Sequence, residues 1–267
     1  MSVTAADAVD QSILLRDDSD GITTLTLNRP AQYNALSGAL LDELQHALDA
    51  IDRDESVRVV VIAANGKAFC PGHDLKEMRS SEEREFHQAL FARCSKMMLT
   101  INQLRQPVIA RVNGIATAAG CQLVANCDLA VAAEDARFAV SGINVGLFCS
   151  TPAVPLSRNM GRKQALHMLL TGDFISAQTA QSYGLVNEVV PAAELEQATL
   201  ALARKIIAKS AHAIALGKDM FYRQLGMDLS EAYAYAAERM ACNMDSHDAR
   251  EGIDAFIEKR KPEWQGN

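Results

Sequence analysis

Two segments of the chain carry the residues best placed to do chemistry. The first is Gly66-Lys67-Ala68-Phe69-Cys70-Pro71-Gly72-His73-Asp74-Leu75-Lys76-Glu77-Met78, which follows an apolar run ending near Ala63. The second is Asn113-Gly114-Ile115-Ala116-Thr117-Ala118-Ala119-Gly120-Cys121-Gln122, which follows another apolar run ending at Val112. Each is a turn of small residues leading into a helical pattern. Each can therefore offer a backbone N–H at a helix N-terminus, where the first amide donors have no partner inside the helix. Two such donors converging on one carbonyl oxygen make an oxyanion hole, although turns of this kind are common and either segment alone is weak evidence. Near them stand His73, whose side-chain type titrates close to neutral pH, and Gln122, an amide able to orient water or an acyl group. Cys149 and Ser150 are nucleophile types without an evident general base beside them in sequence.

The elements that must position these segments follow from periodicity. Short apolar runs alternate with helical patterns through the first half of the chain, the signature of βα units around a largely parallel sheet. Ile22 to Leu27, Val57 to Ala63, Val108 to Val112, Asp128 to Ala132 and Leu185 to Val190 read as strands. The Val57 run lacks alternation, which suits a strand covered on both faces. From Ser37, a possible N-cap, Leu40, Leu41, Leu44, Ala47, Leu48 and Ile51 recur at helical spacing. Asp74 and Glu77 have the spacing of a capping box, and Thr151-Pro152 reads as an N-cap and first helical residue. Longer helical patterns cover Ser81 to Leu104 and Ala118 to Asn126. Past Pro191 only helices are expected, at Ala193–Lys209, Ala211–Gln224, Leu229–Met244 and Asp248–Lys259. The expected division is a sheet-containing core over 1–191 and a helical region over 192–267. In such α/β cores ligands sit beyond the carboxyl ends of the strands, which is where both chemical segments fall.

Composition narrows the functional classes. The 267 residues are 49% hydrophobic and 22% charged, with 26 Lys and Arg against 33 Asp and Glu for a net charge of −7. That is too apolar for general disorder, and the acidic balance argues against a nucleic-acid or anionic-membrane surface. Phe138 to Ser157 holds no charged residue, but its Gly142, Gly146, Pro152 and Pro155 argue for buried or cleft-lining chain, not a membrane span. The six cysteines form no CxxC pair and no zinc spacing, so reduced, packed thiols and no metal are expected. The N-terminal residues MSVTAADAVDQS lack signal- or transit-peptide character, and a cytoplasmic protein is expected.

AFCPGHDLKEM, followed by PVIARVNGIATAAGCQLVANCDLAVA, resembles the paired signature of the crotonase (enoyl-CoA hydratase/isomerase) superfamily. The resemblance runs from the strand before Asn28-Arg29-Pro30 to Phe256-Ile257-Glu258-Lys259-Arg260-Lys261, nearly the whole chain. GHDLKE, NGIATAAGCQLVA and NVGLFCSTP look most like the branch called enoyl-CoA hydratase domain-containing protein 3. It implies an α/β fold, a crotonase-like ββα spiral core with a C-terminal helical trimerisation region, assembling as a homotrimer or a hexamer (dimer of trimers). It also implies an acyl-CoA thioester substrate, with coenzyme A entering as part of that substrate and no separate cofactor. By motif position the oxyanion-hole donors are the backbone N–H groups of His73 and Ala119, and Arg29, Lys67, Ala68, Gly72, Asp74, Lys76 and Gly120 fall in substrate- or CoA-binding segments. Phe256 and Lys259 match a tail pair that reaches the ligand of a neighbouring subunit.

The departures from the pattern matter as much. Relatives hydrate 2-enoyl-CoA with two glutamates, and those positions hold Gln122 and Gly142 here; a third acid position, an aspartate in some branches, holds Ser150. An amide is not a usable acid or base and glycine has no side chain. The resemblance therefore implies an enzyme that holds a thioester enolate without efficient two-glutamate hydration, with decarboxylation or slow hydration as its kind of chemistry. The alternative is a catalytically silent acyl-CoA-binding or partner-binding protein.

Overall fold

The computed structural model describes residues 12–267, so the expectation drawn from the N-terminal residues concerns a segment that lies largely outside the described residues. Strand β1 (Leu14–Ser19) turns through Asp20-Gly21, both at positive φ, into β2 (Ile22–Leu27). Helix α1 (Gly38–Asp52), capped by the Ser37 side chain on the Leu40 N–H, crosses to β3 (Val59–Ala64). A corner at Asn65-Gly66-Lys67 then leads into a second, shorter strand β4 (Ala68–Cys70), followed by α2 (Leu75–Met78) and α3 (Arg84–Gln103). The pattern repeats. β5 (Val108–Val112) turns at Asn113-Gly114 into β6 (Ile115–Thr117) and α4 (Ala119–Asn126). β7 (Leu129–Ala133) passes to β8 (Arg137–Ala139), a tight turn over Ser141–Val145, and α5 (Ser150–Asn159). α6 (Arg162–Thr171), β9 (Ile175–Ser176), α7 (Ala177–Tyr183) and β10 (Glu188–Val190) complete the core region. The tail holds α8 (Leu195–Ile207), α9 (Ala211–Gln224), α10 (Leu229–Met244) and α11 (His247–Glu258).

Two sheets result. The larger has the order β1-β2-β3-β5-β7-β10, parallel except for the β1–β2 hairpin. The smaller has the order β4-β6-β8-β9, parallel except for β8–β9. Three strands of the first sheet, β3, β5 and β7, each hand the chain to a short strand of the second, β4, β6 and β8, and each short strand ends where a turn or helix opens. The second sheet is thus the platform that sets the two chemical segments side by side. Its strands are two or three residues long, too short for an alternation to register, and no sequence pattern announces them. The expected strands of the larger sheet are all present with shifts at their ends, and β1 joins them.

β3 is covered on both faces, as its unbroken apolar run requires: Val60 and Ile62 join the main core with α1, α3 and α4, while Val59 and Val61 pack on the other side against Leu195 and Ala203 of α8. The tail is tied to the sheet a second time by a buried charge cluster. Lys218 Nζ of α9 lies 2.6 Å from Asp128 Oδ2 and donates to the carbonyls of Ile101 and Gln106. Asp128 also accepts from the Val108 N–H and the Tyr222 hydroxyl. Burial lowers the Lys218 pKa, and the Asp128 carboxylate opposes that shift.

Two expected caps differ in the structure. Asp74 does cap α2, accepting from the N–H groups of Lys76 and Glu77, but the Glu77 carboxylate does not close the box. It reaches across to the Gly38 N–H at 2.9 Å and 3.1 Å, fastening α2 to the start of α1. Helix α5 opens at Ser150, ahead of the expected Thr151-Pro152 start, because the chain has already closed a turn at Gly142–Cys149.

Removing one partner of a buried ion pair strands the other charge, at a typical cost of about 3–5 kcal/mol. Lys218→Met is therefore expected to destabilise the fold on that scale, with Lys218→Arg retaining part of the loss, read by urea denaturation.

Candidate active site

The site begins with the contact between two turns. Gly72 has φ +105°, and a Cβ there would lie 2.9 Å from Ala118 Cβ and 3.1 Å from the Ala119 nitrogen. Gly120 is tighter still, since a Cβ would sit 2.0 Å from the Cys70 carbonyl oxygen. Glycine at these two positions lets the segments touch backbone to backbone. Thr117 Oγ1 donates to the Pro71 carbonyl at 2.8 Å, bridging the segments again.

The pairing geometry leaves two N–H groups turned away from the sheet. His73 is bridged to Leu36 through the Leu36 N–H on the Gly72 carbonyl and the Asp74 N–H on the Leu36 carbonyl. In a parallel bridge of this kind the N–H of His73 itself points to the opposite side. Ala119 is the first residue of α4, so its N–H has no partner within the helix. The turn before it is strained. Ala118 sits at φ 47° and ψ −121°, a conformation that costs a side-chain-bearing residue about 1–3 kcal/mol. Its own N–H is held by the Ala139 carbonyl of β8 at 3.1 Å.

His73 and Ala119 both line a cavity of about 410 Å³, and so do Gly142 and Ser150. Leu75, Met78 and Phe91 form one side, and Val145, Leu147 and Phe148 another; no lining residue is Asp, Glu, Lys or Arg. The uncharged run from Phe138 to Ser157 thus supplies much of one wall. Gln122 does not line the cavity. It lies buried one turn along α4 from Ala119, and its Oε1 has no hydrogen-bond partner among the described residues. Gly142 offers no room for a side chain: a Cβ would be 2.5 Å from the Leu147 carbonyl oxygen and 2.7 Å from Cys149 Sγ.

The side chains around the cavity are chemically quiet. The His73 ring stands edge-on to Phe91, with centroids 5.5 Å apart, and neither ring nitrogen has a partner among the described residues. Burial lowers its pKa and keeps it neutral. Cys149 Sγ accepts the Gly142 N–H at 3.3 Å, and burial raises its pKa, so it remains a thiol. Ser150 Oγ donates to the Phe148 carbonyl, not to a base.

None of the residues expected to contact CoA lines this cavity. Arg29 is turned inward, donating to the Ala35 carbonyl at 2.6 Å and lying 3.4 Å from Asp74 Oδ2, so both residues serve to brace the His73 segment. Ala68 and Gly120 are buried in the β4 and α4 packing, while Lys67 and Lys76 are exposed on the surface. Phe256 and Lys259 are exposed at the end of α11. The apolar wall residues Leu75, Met78, Phe91, Val145, Leu147 and Phe148 went unassigned by motif reading, and only the lack of charge in part of that stretch hinted at them. Among the described residues no group of His, Cys, Asp and Glu is arranged to hold a metal ion, and no helix is long and apolar enough to cross a membrane.

A spiral of ββα units whose strand-to-helix turns set two unpaired N–H groups on one apolar cavity defines the crotonase class, and this chain belongs to the enoyl-CoA hydratase/isomerase family, whose model matches residues 17–267. It is 49% identical over 247 residues to human enoyl-CoA hydratase domain-containing protein 3, mitochondrial, an alignment covering 92% of this chain and 81% of the human one. Among solved structures, an enoyl-CoA hydratase from Mycobacterium smegmatis matches with TM-score 0.94 at 60% identity, covering 95% of this chain and 99% of that one. The human domain-containing protein 3 matches with TM-score 0.92 at 47% identity, covering 95% and 100%. The counterparts in rat, mouse, Xenopus laevis and Danio rerio are likewise named mitochondrial, which overturns the expectation of a cytoplasmic protein. That expectation rested on residues 1–12, of which 1–11 lie outside the described residues.

Because the folded His73 ring resists protonation, it binds protons less readily than the unfolded chain, whose imidazole has the ordinary value of 6.5. Its contribution to stability is full above that value and is lost as pH falls below it toward the folded pKa. His73→Gln is expected to flatten the loss of stability between neutral and mildly acidic pH, measured by urea midpoints across that range.

Proposed function

We propose that the protein binds acyl-CoA thioesters in the 410 Å³ cavity and stabilises the thioester oxyanion or enolate with the His73 and Ala119 N–H groups. The observation that carries this reading is the contact of Gly72 with Ala118 and Ala119, which puts two unpaired backbone donors on the wall of an uncharged pocket. Preorganised donors of this kind are worth on the order of 10²–10³ in rate each. Coenzyme A takes part as the carrier half of the substrate, and no further cofactor is needed.

Gln122 and Gly142 set the limit of the chemistry. Proton transfer by a positioned acid or base is worth roughly 10²–10⁴, and neither residue supplies it. Gln122 is a buried amide outside the cavity lining, its Oε1 without a partner among the described residues. The Gly142 turn is closed by its own Leu147 and Cys149 contacts, so the second carboxylate has no space to return. The reactions left are those in which the enolate forms without side-chain acid–base help, by loss of a group from Cα or by slow addition of water. The sealed, unpartnered nitrogens of His73 favour a second reading, a binder without turnover. The exposed apolar residues Tyr233, Met240 and Phe256 of the tail support assembly into a homotrimer or a pair of trimers.

A screen of purified protein against a panel of acyl-CoAs tests the reading. Hydration of crotonyl-CoA is expected to run at least about 10² slower than in a two-glutamate relative, and Gln122→Glu is expected to leave it slow because position 142 stays empty. Rapid hydration by the unaltered protein contradicts the reading, as does failure to bind any CoA thioester. Binding of several without turnover selects the silent binder.

A further inference from the structure

Two titratable side chains among the described residues line the cavity, His73 and Cys149. The neutral His73 ring packs edge-on against Phe91, and both its nitrogens are buried without a partner, so no neighbour relays a proton to it. Cys149 is placed differently. Its Sγ accepts the Gly142 N–H at 3.3 Å, and a Cβ built at position 142 would meet that sulfur at 2.7 Å. The thiol therefore stands where a side chain at 142 would begin, on the wall that His73 and Ala119 also line. Cys149 is also the N-cap of α5, a helix of 10 residues whose positive end favours a negative charge formed there. The remaining polar side chains of the wall, Ser141, Ser150 and Thr151, are hydroxyls and far weaker acids than a thiol.

The chemistry proposed above leaves one step without a donor. Whether a group is lost from Cα or water adds at the β-carbon of the acyl group, the product is a thioester enolate, which persists until Cα takes a proton. We infer, on that thioester reading, that Cys149 is the catalytic acid of this site and delivers its thiol proton to Cα of the enolate. In that step the S–H bond breaks and a C–H bond forms at Cα with the electron pair of the enolate. The thioester C=O re-forms, and the negative charge leaves the His73 and Ala119 N–H groups for sulfur. There the Gly142 N–H and the α5 N-terminus hold it until a proton from solvent restores the thiol. Burial raises the thiol pKa, which keeps the proton on sulfur at rest. Even so, a thiol is a far stronger acid than the C–H bond beside a thioester carbonyl, and the transfer runs downhill.

Two experiments on the full chain test this. Chloroacetyl-CoA carries a leaving group on Cα itself: where Sγ reaches that atom, sulfur displaces chloride, an S–C bond replaces the C–Cl bond, and the thiol proton passes to solvent. In mildly alkaline buffer, mass spectrometry is expected to find a CoA-linked adduct on Cys149 that excess acetyl-CoA blocks. Labelling confined to the exposed Cys242, or none although acetyl-CoA binds, overturns the inference. Deuterium uptake at Cα of acetyl-CoA bound in heavy water reads the same transfer run backwards and forwards. Cys149→Ala and Cys149→Ser are each expected to slow that uptake about 10²-fold or more while affinity for acetyl-CoA is retained. Serine is a favoured N-cap, so the second variant guards the result against misfolding. Uptake absent from the unaltered protein, or equal in the variants, overturns the inference while the thioester-binding reading stands. Failure of CoA and its thioesters to bind overturns both.

Discussion

Backbone packed directly on backbone is the constraint from which the rest of this structure follows. Gly72 lies against Ala118 and Ala119, and Gly120 lies against the Cys70 carbonyl, at separations that admit no side chain. Such an approach needs two strand-to-helix turns at the same height, and the small β4-β6-β8-β9 sheet provides it by giving β3, β5 and β7 a short continuation each. The larger sheet, its helices on one face and α8 on the other then hold that platform rigid.

Several polar groups brace this approach, among them Arg29 and Asp74, which the resemblance assigns to ligand-binding segments. Asn34, fully buried in a left-handed conformation, accepts the Arg29 N–H and donates to the carbonyls of Asn65 and Ala68, so it joins the loop after β2 to the corner before β4. Arg29 and Asp74 continue the same tie, and Glu77 completes it at Gly38. The positive φ of Ala118 is the strained point that these contacts enforce, and it is also the point from which the Ala119 N–H is aimed.

Much of the frame was legible because its signals are local. Ser37 and Asp74 mark helix starts through side-chain bonds to nearby backbone N–H groups, and the structure uses both that way. The apolar runs of β3 and β5 announce strands buried on both faces. The second sheet was not legible, because its register comes from pairing between separate units and not from any pattern within three residues. At the site, His73, Ala119, Gly142 and Ser150, all named by motif position, line one cavity. Motif position also named Gln122, which lies buried outside the cavity lining, and Arg29, whose partners in the structure are Ala35 and Asp74. The apolar rim escaped because a leucine or phenylalanine in a loop carries no chemical signature until the fold shows that it is left in water.

On the function proposed above, two backbone N–H groups polarise a thioester carbonyl in an otherwise uncharged pocket. Isotope-edited infrared spectroscopy of octanoyl-CoA, labelled with carbon-13 at the thioester carbonyl and bound to the protein, tests that most directly. The carbonyl stretch is expected at lower frequency than in water, and the shift is expected to be lost in a folded Gly72→Ala variant, where the two turns must separate. A bound thioester whose carbonyl stretch matches free solution, or a shift that survives in that variant unchanged, would contradict it.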